Sequence, residues 1–156
     1  MPRLVKGGKY VYGWSQVGND GKIVIPDEAL TEYNLKSLTN VIVLSGSKRS
    51  GGFALTITSL LQNSALSRIL DENSELANFH LPEGETIKVN GKPLCWTTLK
   101  EGCIVLPSKT LQDYGINHGY RLLSVRGSSL ALAFCVKGPL IEEAKKHSNL
   151  AVFTLQ

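Results

Sequence analysis

Three cysteines and three histidines are the side chains best suited to nucleophilic or metal chemistry, and their spacing serves neither. His80, His118 and His147 are scattered without an HxxxH pattern, and Cys95, Cys103 and Cys135 form no CxxC. Zinc sites and catalytic triads need ligands or partners that converge, and no such spacing exists here. Cys95 and Cys103 flank a turn that would bring them close, but the sequence indicates no His or basic neighbour to activate a thiolate. Reduced, incidental thiols of a cytoplasmic protein are the expected state. Neither enzymatic activity nor a metal or other cofactor is expected.

Phosphate recognition is the chemistry that remains. Basic side chains neutralise phosphates, and Gly-rich loops let backbone N–H groups approach them. The candidates are Lys22, Lys100, Arg121 and Arg126, with Lys48 and Arg49 in the loop Gly46-Ser-Lys-Arg-Ser-Gly-Gly52. The same charges also fit a solvated surface that maintains solubility. That loop does not match GxxxxGK[ST] and leads into a strand, so it is not a nucleotide-binding phosphate loop. Tyr10, Tyr12 and Trp14 occupy alternate strand positions and should share one face, with Trp96 as a fourth aromatic. Base stacking is one use for them, and core or interface packing the other.

The chain that must position these groups is internally repeated. Gly21-Lys-Ile-Val-Ile-Pro26 returns 81 residues later as Gly102-Cys-Ile-Val-Leu-Pro107. Identical residues recur at Gly21/Gly102, Ile23/Ile104, Val24/Val105, Pro26/Pro107, Leu30/Leu111, Tyr33/Tyr114 and Gly46/Gly127. Trp14 aligns with Trp96, and Leu76-Ala-Asn-Phe79-His-Leu81 with Leu150-Ala-Val-Phe153-Thr-Leu155. A repeat of this kind defines the architecture first. Two units, 1–82 and 83–156, should share one core. With 42% apolar and 19% charged residues, a packed interior is expected rather than disorder.

Within each unit the elements are legible. Hairpins are expected for Arg3–Lys6 with Tyr10–Trp14 around Gly7-Gly8, and for Thr86–Val89 with Leu94–Trp96 around Asn90-Gly91. Strands Ile23–Ile25 and Ile104–Leu106 end at Pro26 and Pro107, each suited to the first position of a short helix. Asn34 and Gly115 tolerate the left-handed cap that closes it. Strands Val41–Leu44, Leu122–Val125, Phe53–Thr58 and Leu130–Val136 follow. Helices are expected at about Ser59–Leu70 and Pro139–His147, the second with a Glu142–Lys146 pair. Alternating strands should close each half at 76–81 and 150–155.

A strand, Gly-x-apolar-Val-apolar-Pro, a short helix, a small cap residue and two strands joined by a Gly loop resemble the AbrB/SpoVT/MazE swapped-hairpin unit, over about Tyr10–Thr58 and Pro93–Val136. The resemblance implies a mainly β fold with short helices: a tandem-duplicated swapped-hairpin barrel forming an intrachain pseudo-dimer. It also implies a DNA-binding transcriptional regulator, whose basic residues gather near one end of the barrel. Lys22 keeps the charge that follows the turn Gly in such proteins, whereas Cys103 does not. Leu30-Thr31 and Leu111-Gln112 stand where paired helix arginines are common, and Ser15 or Trp96 where a strand arginine is. The alternative is a protein-interaction or scaffold module that kept the barrel and lost the DNA surface. Double-stranded DNA, a protein partner or self-association are the partners considered. An antitoxin tail is not expected, because the chain ends in the strand-like Ala151-Val-Phe-Thr-Leu155.

Net charge is +4 with a pI near 9.0, compatible with nucleic acid but not diagnostic of it. The halves differ little, with 8 basic against 7 acidic residues in 1–82 and 9 against 6 in 83–156. No apolar run approaches the roughly 20 residues of a membrane helix, and the N-terminus lacks the apolar stretch of a signal peptide. A cytoplasmic, non-membrane protein is the expectation.

Overall fold

Glycine and proline punctuation cuts each half into strand, turn, strand, short helix and hairpin. A computed structural model describes residues 10–154; Arg3–Lys6, Gly7-Gly8 and Leu155 of the expected strands lie outside them. The first half contains β1 (Val11–Gln16), β2 (Lys22–Val24), α1 (Asp27–Glu32), β3 (Asn40–Ser45), β4 (Phe53–Thr56), α2 (Thr58–Gln62), α3 (Ser67–Glu72) and α4 (Ser74–Ala77). The second contains β5 (Ile87–Val89), β6 (Lys92–Thr98), β7 (Cys103–Val105), α5 (Ser108–Asp113), β8 (Arg121–Arg126), β9 (Leu132–Cys135), α6 (Pro139–Ala144) and β10 (Val152–Phe153). The fold is mainly β with short helices.

Strands pair across the halves, and the pairing is reciprocal. β1 pairs with β8 through Trp14↔Leu123, Ser15↔Leu122 and Gln16↔Arg121. β6 pairs with β3 through Trp96↔Ile42, Thr97↔Val41 and Thr98↔Asn40. Each of these contacts maps onto its counterpart when the repeat is superposed on itself. Two antiparallel pairs lie at the centre of that exchange: β2 with β7, centred on Ile23↔Ile104, and β4 with β9, centred on Ala54↔Ala133. Ile25 N–H donates to Gly102 O at 2.8 Å and Leu106 N–H to Gly21 O at 3.1 Å, again as counterparts. The main hydrophobic cluster draws on both halves, including Ile23, Leu55, Phe53, Ile104, Leu122 and Phe134.

The sheet is mixed and is not closed into a barrel. Among the described residues its order is β10-β1-β8-β9-β4-β3-β6-β5, with β10 and β5 as edges and β2–β7 as a separate ribbon. Only β1–β10 is parallel. Two further clusters lie on the outer face, one under α6 with Leu123, Val125 and Trp14, the other under α3 and α4 with Ile42, Leu44 and Trp96.

Local turn chemistry follows the sequence. Asn90 and Gly91 have φ of 53° and 77°, as a tight hairpin turn requires. Asn34 and Gly115 close α1 and α5 at φ 54° and 77°. Pro26 and Pro107 stand one position before the expected one. Their ψ values of 138° and 155° are extended, so they cap the helices rather than open them.

Three expectations are corrected. Helix 59–70 is broken into α2 and α3, because the Ser64 hydroxyl donates to Leu61 O at 2.8 Å and accepts Leu66 N–H at 3.1 Å in place of helical bonding. α6 ends at Ala144 rather than His147, and its exposed pairs are Lys145–Glu142 and Lys146–Glu143 at 3.5 Å each. The strand expected at 76–81 is α4 and a turn through Phe79 at φ 58°. Residues 83–89 already occupy the outer edge of β6, with Gly84 N–H on Trp96 O at 2.8 Å, so no free edge remains for it. β1 keeps its edge open, and there β10 does form.

Candidate functional site

The six basic candidates do not collect on one face. Arg121 and Arg126 sit at opposite ends of β8, roughly 17 Å apart at about 3.4 Å per residue. Arg126 lies 3.9 Å from Glu32, whose carboxylate also accepts the Tyr12 hydroxyl at 2.6 Å. Lys48 and Arg49 project from the β3–β4 loop, where Arg49 and Lys137 line a groove beside the start of α6. Arg121 lines a different cavity with Trp14. Lys22 and Lys100 do come together, in a groove beside the β2–β7 ribbon.

That groove is not a phosphate cradle. Glu83 and Glu101 line it along with the two lysines, and Leu38 and Val105 contribute apolar surface that is 70% and 46% exposed. Leu38 is a residue that sequence reasoning missed. Its φ of 66° is left-handed, a conformation that an L side chain adopts at a cost of roughly 1–2 kcal/mol. Its counterpart in the repeat is Gly119, at φ 84°. Counterpart bonds confirm the match: Leu38 N–H donates to Leu99 O at 2.7 Å, and Gly119 N–H to Val17 O at 2.9 Å. The signal was available, since the same offset of 81 places a leucine opposite a glycine.

The aromatic group is also divided. A register shift between Val11 and Gly13 makes Tyr12 a bulge residue that points into the main core, whereas Trp14 belongs to the outer cluster under α6. A bulge breaks period-two alternation, so Tyr12 and Trp14 do not share a face. Trp96 packs against Phe79 at a ring separation of 5.3 Å and donates its indole N–H to Leu81 O at 2.8 Å.

The cysteines are free and buried. Burial raises the Cys103 pKa, and the nearby charge of Lys22 only partly opposes it. Burial pushes the Cys95 thiol from 9.0 up to about 11, with the Tyr114 hydroxyl 3.6 Å from Sγ acting in the opposite direction. His118 contacts Ser108 at 3.1 Å and His147 contacts Glu143 at 3.6 Å, so the histidines stay apart. Among the described residues no group of His, Cys, Asp or Glu could hold a metal ion, and no helix is long and apolar enough to cross a membrane.

A raised thiol pKa is also a statement about stability. Cys95 stays neutral in the folded state after its unfolded counterpart has ionised, so its contribution is intact below about pH 9 and is lost as pH rises towards 11. Two pKa units correspond to about 2–3 kcal/mol. Urea denaturation at neutral pH and again near pH 11 should show a fall to which the Tyr12, Tyr33 and Tyr114 hydroxyls, also raised by burial, contribute, and Cys95→Ala should remove a share of about that size from it. An unchanged pH profile in the variant would exclude Cys95 as a cause.

No family model matches this sequence, and neither a curated protein nor a solved structure matches it. The geometry alone therefore has to carry a functional reading.

Proposed function

We propose that this chain is a duplicated, AbrB-like swapped-hairpin protein whose role is non-enzymatic binding of a protein partner at the Leu38–Val105 groove. Support for the kinship is the reciprocal pairing of strands across the repeat, as in two subunits made covalent. Support for a protein partner is one observation: Leu38 is exposed in a strained conformation where the other half uses glycine. Backbone strain held at a surface apolar residue is characteristic of functional positions. Exposed leucine and valine bordered by charges of both signs suit a protein surface, which is apolar at its centre and polar at its rim.

Charge points the same way. The ribbon, its turns and helices α1 and α5 span 17–38 and 99–118, which carry four lysines against six carboxylates. That segment is the one an AbrB-like regulator would present to DNA, and a net negative segment repels phosphates. Duplex DNA remains the second reading, favoured by Lys22 and Lys100 sharing the groove within a chain of net charge +4.

Leu38→Gly separates stability from function. Relief of the left-handed strain should stabilise the fold by about 1 kcal/mol, read by urea denaturation. In quantitative affinity capture, one protein retained by the wild type should be lost from Leu38→Gly and should resist competition by duplex DNA. Retention unchanged in the variant would sink the docking assignment. Labelled duplex that binds at about 50 mM salt and loses affinity steeply by about 200 mM, with Lys22→Ala and Lys100→Ala weakening it, would establish the DNA reading instead.

A further inference from the structure

The repeat supplies its own control for a cavity between Trp14 of the first half and residues of the second. Trp14 and Trp96 are counterparts, each opposite the same position of its partner strand, Leu123 and Ile42. Over Trp96 the chain folds back as α4, placing the Phe79 ring 5.3 Å away and Leu81 O on the indole N–H. Over Trp14 the corresponding segment leaves as β10, and a cavity of about 580 Å³ stands open. Among the described residues, Trp14 has neither a ring partner nor an acceptor for its indole N–H.

The lining of this cavity differs from the plug it replaces. Tyr120 and Ile141 add aromatic and aliphatic walls, Arg121 and Lys145 add cationic groups and His147 an imidazole; no carboxylate lines it. Lys145 and His147 already face Glu142 and Glu143 at 3.5 and 3.6 Å, whereas Arg121 makes no ion pair with a described residue. Its guanidinium is a planar fork that matches a carboxylate or phosphate. The volume falls in the range of small-molecule sites, roughly 300–1,000 Å³.

We propose that the cavity over Trp14 binds a small ligand combining a flat aromatic ring with a negative charge. The ring takes the place that Phe79 fills over Trp96, and a polar edge accepts the Trp14 indole N–H. The anion pairs with Arg121. Aromatic stacking and a charge-assisted bond then act on one molecule. A mononucleotide and an aromatic carboxylate share this chemistry.

The test uses the full chain carrying Trp96→Phe, which leaves Trp14 as the only tryptophan. AMP, indole-3-acetate, adenosine and inorganic phosphate are titrated with Trp14 fluorescence and calorimetry as readouts. At least one ring anion should quench Trp14 with a Kd below about 1 mM. Adenosine and phosphate should each bind at least about tenfold more weakly, and Arg121→Ala, a change on an exposed strand end, should weaken the ring anion about tenfold. Preference for AMP over indole-3-acetate, or the reverse, identifies the class. The proposal is overturned if neither ring anion binds at about 10 mM, if phosphate alone binds as well, or if Arg121→Ala has no effect.

Discussion

Gly21→Ala should destabilise the fold by about 4 kcal/mol, whereas Gly102→Ala, the same change at the counterpart position, should cost only about 1 kcal/mol. Both glycines are left-handed, at φ 82° and 75°, so the backbone penalty is common to the two. Surroundings make the difference. A Cβ on Gly21 would lie 2.1 Å from Leu106 O, a backbone atom that cannot swing aside. A Cβ on Gly102 would meet nothing nearer than Leu30 Cδ1 at 3.6 Å. The cause is the length of the preceding turn. Trp14 to Gly21 is one residue longer than Trp96 to Gly102. The shorter turn places Glu101 and Gly102 both in positive φ between mutually bonded Lys100 and Cys103, and this tight turn directs the Cα–Cβ vector away from the opposing strand. Leu106 belongs to the other half, so the clash at Gly21 should pry the ribbon apart at the centre of the molecule. Equal midpoints for the two variants in urea would show that the counterpart turns are mechanically alike and defeat the argument.

Much of this geometry was legible because a repeat constrains both copies at once. Asn34 and Gly115 are different answers to one left-handed cap, and reading them together identified it. Asn90-Gly91 and the strand ends at Pro26 and Pro107 followed from the fixed φ preferences of their residue types. Features that depend on tertiary choice were not legible. Alternation made Tyr12 and Trp14 neighbours, and one bulge undid it. Ala77/Phe79/Leu81 alternates like a strand, but Leu76 and Phe79 also have the spacing of a helical turn, and occupation of the β6 edge by residues 83–89 selects the turn. Charge in the sequence marks candidate cations but says nothing about where strand ends lie. Arg121 and Arg126 are five residues apart in sequence and at opposite ends of one strand. Leu38 is recoverable from sequence only by asking where the copies disagree, a leucine opposite Gly119, rather than where they match.

Divergence between the copies is the principle that joins the two grooves. A fold that needed only its core would tolerate glycine at both 38 and 119, and a plug over both tryptophans. The first half instead exposes Leu38 at a cost in backbone strain, and the closing segment of the second half leaves Trp14 uncovered. Both departures are at the surface, on elements anchored by the shared core. Loops and element ends can vary there without unfolding the sheet.

In that core a stability effect of similar size is expected. Phe53, 1% exposed, stacks on Phe134 at 4.9 Å and 22° and meets Tyr114 edge-on at 5.9 Å and 60°. Both partners come from the second half, and the Tyr114 hydroxyl returns to the first by donating to Val43 O at 2.8 Å. Phe53→Ala should therefore cost about 3–5 kcal/mol, a large part of the 5–15 kcal/mol that holds a typical domain together. The distribution of the loss matters more than its size. If the halves are one cooperative body, amide hydrogen exchange should accelerate equally in β3, which carries no half-2 residues, and in β8, which carries no half-1 residues. A double-mutant cycle with Phe134→Leu should give a coupling of about 0.5–1.5 kcal/mol for the ring pair. Exchange that accelerates in β3 while β8 keeps its native protection would show two independently stable units, and the covalent-dimer account of this fold would fail with it.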